Sequence, residues 1–212
     1  MQNILVIISG SPGAGKDFII EKFLESKIAK EISIKKVKTH ADRSMRPGES
    51  PDAYNFVSKE ELDELNNNGL LAEEIVTTGF SRKATAKSEI LKLFSGQSLV
   101  WRIDPTLATK IVEGKYYNEY FPDHSVELDK MTLVILIHSP QVVIETRRKA
   151  RDKHKYNPKE YIARDEYEKP YLQILLNHDK VNIIKNIEGQ DEITINKITE
   201  IVEKHYAKIT GK

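Results

Sequence analysis

The 212-residue sequence contains no cysteine, which excludes disulfides, thiolate zinc sites and cysteine nucleophiles. Its six histidines form no metal-binding spacing, with no H-E-x-x-H and no close pair. No Ser-His-Asp arrangement has local support. Apolar runs are short: Ile4–Ile8 is typical, far below the ~20 residues of a membrane span. There is no internal repeat, low-complexity tract or Gly/Ser linker. Nor does either charge dominate. The 33 Lys+Arg against 32 Asp+Glu leave +1, which removes any general attraction to nucleic acid or a membrane surface. The start MQNILVIISG lacks the charged flank and long apolar centre of a signal peptide, so a cytoplasmic location is expected. What is present, 39% hydrophobic residues in a chain of this length, suits one compact domain, as a monomer or homodimer.

Segments rich in β-branched residues at Ile4–Ile8, Ile32–Val37, Ser98–Ile103, Thr132–Ile137 and Val181–Ile184 read as strands. They are apolar on both faces and separated by longer amphipathic stretches, which predicts a central parallel sheet flanked by helices, an α/β three-layer architecture. Ser58 and Glu61 have the spacing of a helix-capping box, and Ile198, Ile201, Val202 and His205 share one helical face. Thr39–Lys83, rich in turn residues and charge, and Thr146–Arg164, basic at its start, fit the layered pattern poorly. Such insertions at strand ends commonly cover a ligand. Trp101, Tyr116, Tyr117 and Tyr120 are expected to pack in the core.

Directly after the first strand comes Gly10-Ser-Pro-Gly-Ala-Gly-Lys16, the G-x-x-x-x-G-K phosphate loop, followed by an amphipathic helix from Asp17 to Leu24. Glycines let the backbone turn its N–H groups toward phosphate, the helix N-terminus adds positive potential, and Lys16 reaches the outer phosphates. Gly10, Ser11, Gly13, Ala14, Gly15, Lys16 and Asp17 are therefore the candidate triphosphate site. Asp17 stands where Ser or Thr usually offers Mg²⁺ a hydroxyl. Its carboxylate is either a Mg²⁺ ligand or a favourable negative charge in the first helical turn.

Further along, Arg43 and Arg46 lie three apart in a turn-rich segment, where both guanidiniums could fork onto one phosphate with Tyr54 adding a hydroxyl. The surrounding letters, R-S-M-R-P-G-E and Y-N-F-V-S-K-E-E, together with the phosphate loop, Arg102-Ile-Asp104, Phe121-Pro-Asp123, the basic Arg147–Arg151 stretch, Ile162-Ala-Arg164 and Ile184-Lys-Asn186, occur in the order seen in guanylate kinases. The chain resembles that family over most of its length.

The resemblance implies a P-loop kinase fold with core 1–38, 84–146 and 165–212, an acceptor-binding insert about 39–83 and a lid about 147–164. It implies ATP and Mg²⁺ as cofactors and nucleotides as substrates, with no nucleic acid polymer and no membrane. Arg43, Arg46 and Tyr54 would hold the acceptor phosphate, Thr39, Glu73 and Asp104 its nucleoside, and Asn186 an adenine edge. Arg147, Arg151 and Arg164 would act catalytically with Lys16. Two departures stand out besides Asp17. The base-reading segment, Glu73-Glu74-Ile-Val-Thr-Thr-Gly79-Phe80, aligns only with a gap and lacks the family's tyrosine pair, so Glu73 and Glu74 compete for one role. Arg102 takes a position that is often acidic.

The expected activity is transfer of the ATP γ-phosphoryl group to GMP, dGMP or a related monophosphate. Two alternatives are a kinase of another phosphorylated small molecule such as ribose 1,5-bisphosphate, whose enzymes can carry Gly-Lys-Asp as Gly15-Lys16-Asp17 does here, and a non-catalytic guanylate-kinase-like binding module.

Overall fold

The structure is a computed structural model and describes residues 3–45, 49–78 and 81–211. The chain opens with β1 (Leu5–Ser9), α1 (Lys16–Leu24), α2 (Lys27–Glu31) and β2 (Lys35–Lys36). A middle stretch contributes β3 (His40–Ala41), β4 (Asn55–Phe56), α3 (Lys59–Asn67), β5 (Val76–Thr78), β6 (Ser81–Ala84) and α4 (Lys87–Leu91). There follow β7 (Leu99–Arg102), α5 (Pro105–Val112), α6 (Tyr116–Tyr120), α7 (Ser125–Met131) and β8 (Thr132–His138). The C-terminal part holds α8 (Gln141–Asp152), α9 (Pro158–Asn177), β9 (Val181–Lys185) and α10 (Asp191–Thr210).

A five-stranded sheet in the order β2-β7-β1-β8-β9 runs parallel throughout. The period-2 alternation of strands divides its apolar residues between two cores. Leu5, Ile7, Leu99, Trp101, Val134 and Leu136 meet Ile111, Tyr116, Leu128 and Leu175 on one face. Ile4, Val6, Ile8, Val100, Ile135 and Ile137 meet Ile19, Phe23, Ile198 and Val202 on the other. Helices therefore cover both faces, the three-layer α/β arrangement that doubly apolar strands require.

One strand is shorter than its letters suggest. Within Ile32–Val37 only Lys35–Lys36 pair with β7. Ser26 caps α2 by accepting from the Ala29 N–H at 3.4 Å, Ile28 and Ala29 are buried there, and Ser33 takes a left-handed φ of 52° that interrupts extended backbone.

Residues 40–84 carry a second sheet, β4-β3-β6-β5, in which β5 and β6 pair antiparallel and Ala41 stands opposite Lys83. The capping box is complete: Glu61 N–H donates to Ser58 Oγ at 3.0 Å and Ser58 N–H to Glu61 Oε2 at 2.6 Å. That cap contributes about 1 kcal/mol and orients α3 so that Leu62 is buried. Residues 147–164 comprise the end of α8, a 3₁₀ turn at Lys153–Lys155 and the start of α9. Among the described residues no helix is long and apolar enough to cross a membrane.

Candidate functional site

The phosphate loop leaves β1 at Ser9 and enters α1 at Lys16, at the C-terminal edge of the parallel sheet, where ligands of open α/β folds bind. Two glycines are required here. A Cβ on Gly10 (φ 143°) would lie 2.2 Å from the Ile137 carbonyl oxygen, and one on Gly15 (φ 91°) 2.5 Å from Asn186 Nδ2. The loop is fastened from behind. Arg148 Nε donates to the Pro12 carbonyl at 2.8 Å, and the Ala14 carbonyl accepts from Asn186 Nδ2 at 2.8 Å, Ser139 Oγ at 3.2 Å and Arg147 Nη1 at 3.3 Å.

Lys16 Nζ donates to the Gly10 carbonyl at 2.5 Å and the Ser11 carbonyl at 2.9 Å. Among the described residues no carboxylate lies within ion-pair distance of it. Burial, helped by the nearby Arg102 charge, pulls its pKa down to about 8. A cation held this way, beside a loop whose glycines keep the backbone bare, is the chemistry that suits an anion.

A cavity of about 600 Å³ opens beside the loop. Gly10, Pro12, Gly13, Gly15, Lys16 and Asp17 line one part, Arg147, Arg151, Tyr161 and Arg164 another, and Thr39, Tyr54, Glu73, Lys83, Arg102 and Asp104 a third, with apolar Phe18, Val76 and Ile103 completing the lining. That volume suits ligands of nucleotide size. Arg151 is held by Asp152 at 2.8 Å and Arg164 by buried Glu168 at 2.7 Å, whereas Arg147 has no carboxylate partner among the described residues.

The expected acceptor residues divide. Thr39, Tyr54, Glu73 and Asp104 line the cavity, and Asp104 also caps α5 by accepting from Leu107 N–H at 2.9 Å. Between the two competing glutamates the structure distinguishes clearly: the Glu74 side chain is 84% exposed, while Glu73 accepts from Thr85 Oγ1 at 2.5 Å inside the cavity wall. Arg43 does not line the cavity. Its guanidinium forks onto Glu49 at 2.7 and 2.6 Å and rests 5.4 Å from the Tyr54 ring centre, so it backs Tyr54 instead of facing the space in front of it. Arg46 lies outside the described residues. Asn186 is 1% exposed and its Nδ2 supports the loop, a strut where an adenine-facing edge was expected, while its buried Oδ1 has no hydrogen-bond partner among the described residues. Ser11 and Ala14 contribute carbonyls to Lys16 and to the loop's supports. As for Asp17, both carboxylate oxygens face cations: Arg102 at 2.7 Å and Lys36 at 3.7 Å.

No protein-family model matches the chain, and no curated protein matches it in sequence. Among solved structures it is similar to a guanylate kinase from Anaplasma phagocytophilum, with a TM-score of 0.59 and 18% identity over 95% of this chain and 85% of that one. The fold is that of a P-loop kinase. At this identity the likeness carries the architecture, and the chemistry is argued from this chain's own residues.

Sequence reasoning passed over two residues of this site. Lys83 lines the cavity, donates to Tyr54 Oη at 3.2 Å and sits 4.5 Å over its ring, with no ion-pair partner among the described residues. Only the pairing of β3 with β6 brings it there, and no local signal marks it. If the cavity takes a phosphorylated acceptor, as the resemblance implies, Lys83→Ala is expected to raise the acceptor KM about tenfold with little change for ATP, as the loss of one charge-assisted contact implies; initial rates at varied acceptor concentration check this. Arg148, 1% exposed, was passed over between its neighbours Arg147 and Arg151.

Glu73 has its pKa pushed up to about 7, first by burial and then by the Asp104 charge, against the opposing Thr85 hydrogen bond. A carboxyl whose folded pKa exceeds its unfolded one binds extra protons when folded, so stability falls as pH rises from about 4.5 to about 7. Glu73→Gln is therefore expected to raise the urea midpoint at pH 8 and to leave it nearly unchanged at pH 4, read from paired denaturation curves.

Proposed function

We propose that this protein is an ATP-dependent nucleoside monophosphate kinase acting on GMP or dGMP. The observation that carries the reading is a single cavity in which the phosphate loop and Lys16, four arginines, and the Thr39–Tyr54–Glu73–Asp104 set all stand together. Guanine offers adjacent N1–H and N2–H donors, and Glu73, Asp104 and Thr39 supply acceptors for them. Donors at Glu73 favour its ionised form and draw its proton off on binding.

In the reaction the bond from the γ-phosphorus to the β–γ bridging oxygen breaks, and ADP leaves with the electron pair. A bond forms to an oxygen of the acceptor phosphate. That nucleophile is already anionic, so no general base is needed, and catalysis consists of positioning and neutralising charge. Lys16 binds the outer phosphates. Arg147, Arg151 and Arg164 offset the charge spread over the migrating group, and a closed arrangement of these groups excludes water. Tyr54 and Lys83 hold the acceptor phosphate, with Arg43 buttressing Tyr54 from behind.

Mg²⁺ accompanies ATP in this reading and lessens the charge on its phosphates. The donor set does not fit direct coordination by Asp17, because both of its oxygens already face cations. Among the described residues no group of three or more acidic or histidine side chains stands together as a metal site.

ADP release from ATP tests the reading across GMP, dGMP, AMP, CMP, UMP, dTMP and ribose 1,5-bisphosphate. Stimulation by GMP or dGMP well above the others is the expected result, and a dominant response to ribose 1,5-bisphosphate, or ATP binding with no response at all, would refute it.

A further inference from the structure

The two departures in charge that the sequence shows, Asp17 and Arg102, lie 85 residues apart and meet as one ion pair, Arg102 Nη1 to Asp17 Oδ2 at 2.7 Å. Arg102 ends β7, in register with Ile8 of β1, so it emerges beside the phosphate loop. Asp17 belongs to the first turn of the helix leaving that loop. Arg102 lines the 600 Å³ cavity and also an adjoining one of about 400 Å³ that it shares with Lys36, Thr39 and Tyr54. Its charge lowers the pKa of Lys16, on the donor side, and also acts to lower that of Glu73, on the acceptor side. One guanidinium thus acts on both halves of the cavity.

We propose that Arg102 is a phosphate-binding cation at the join between donor and acceptor, and that Asp17 is the positioning residue that holds it there instead of a Mg²⁺ ligand. This inference rests on the kinase reading above. A guanidinium has five N–H donors in a fixed fork, and one bond from Nη1 to Asp17 leaves others for phosphate oxygens. The pairing also removes a difficulty, since an unneutralised carboxylate one residue after Lys16 would repel the β- and γ-phosphates. Paired with Arg102 and flanked by Lys36, Asp17 adds no net negative charge to the site.

The test uses calorimetry with three probes: ATP, GMP, and a dinucleoside pentaphosphate that joins adenosine to guanosine and so spans both halves. Each is titrated with and without Mg²⁺ into wild type, Arg102→Met, Arg102→Lys and Asp17→Asn, with thermal unfolding to confirm that each variant is folded. Arg102→Met is expected to weaken the pentaphosphate about 100-fold and either mononucleotide less than about fivefold, with Arg102→Lys recovering about tenfold of the loss. Asp17→Asn is expected to weaken the pentaphosphate about tenfold whether or not Mg²⁺ is present, because the guanidinium loses its anchor.

Equal pentaphosphate binding by wild type and Arg102→Met would overturn the inference while leaving the kinase reading intact. An Asp17→Asn effect seen only with Mg²⁺ would overturn the role given to Asp17. Failure of wild type to bind ATP or the pentaphosphate would overturn both the inference and the reading beneath it.

Discussion

Replacing Lys16 with alanine is expected to lower phosphoryl-transfer turnover by about 10³-fold, comparable to removing one preorganised charge from a transition-state site. The geometry explains why one ammonium carries so much. Lys16 rests on the Gly10 and Ser11 carbonyls, with no carboxylate within ion-pair distance among the described residues, so its charge is directed at whatever enters the loop. That arrangement costs stability. With a folded pKa of about 8 against 10.5 in the unfolded chain, the unfolded state holds more protons between those values, and native stability rises with pH across that window. Lys16→Ala is accordingly expected to raise the urea midpoint at pH 7, with the gain over wild type vanishing above about pH 10.5. A bound polyanion restores the ammonium, so ATP binding takes up protons above about pH 8 and weakens as pH rises. Calorimetry at pH 7 and pH 9, in buffers of different ionisation enthalpy, reads both effects. Unchanged turnover in Lys16→Ala would remove the loop from the chemistry.

The second large effect is expected at Arg148, which does not itself line the cavity but braces two residues that do, Pro12 and Tyr161. Its guanidinium is 1% exposed, forks onto Asp165 at 2.7 Å through both terminal nitrogens, sits 4.4 Å from the Tyr161 ring centre and holds the Pro12 carbonyl. One side chain thus ties the phosphate loop to α8 and α9. Arg148→Met keeps the stem's packing but leaves the Pro12 carbonyl unpartnered and Asp165 with a neutral Gln141 Nε2 donor at 3.2 Å in place of a forked guanidinium, and is expected to cost about 3 kcal/mol in urea denaturation. Pairing it with Asp165→Leu should cost less than the sum of the single variants, because a stranded carboxylate is the larger part of the loss. ATP affinity is expected to fall about tenfold in Arg148→Met, as the loop loses its outer brace.

What could be read from the letters was local or periodic. The phosphate loop is contiguous, its strand and helix adjoin it, and the Ser58–Glu61 box closes within one turn. Doubly apolar segments such as Ile4–Ile8 announced a sheet covered on both faces, since period-2 alternation sends their buried apolar residues to one core or the other in turn.

Most of the contacts hidden from the sequence span distance. Lys83 reaches Tyr54 only because β6 pairs with β3, and Arg102 meets Asp17 only because β7 lies next to β1. Side-chain direction was equally invisible. Asn186 and the cavity-lining Arg147 both donate to Ala14 from behind the loop, and nothing in the letters says that Asn186 is buried there. Arg43 is turned the same way: its fork is taken by Glu49, six residues on, and it does not line the cavity.

The most direct measurement is phosphorus NMR of the protein with Mg-ATP and GMP, with the Lys16→Ala variant run beside it. ADP and GDP appearing in equal amounts, with no inorganic phosphate and no products from the variant, is the result expected of a kinase built on this cavity. ADP and inorganic phosphate without GDP, or equal turnover by the variant, would contradict it.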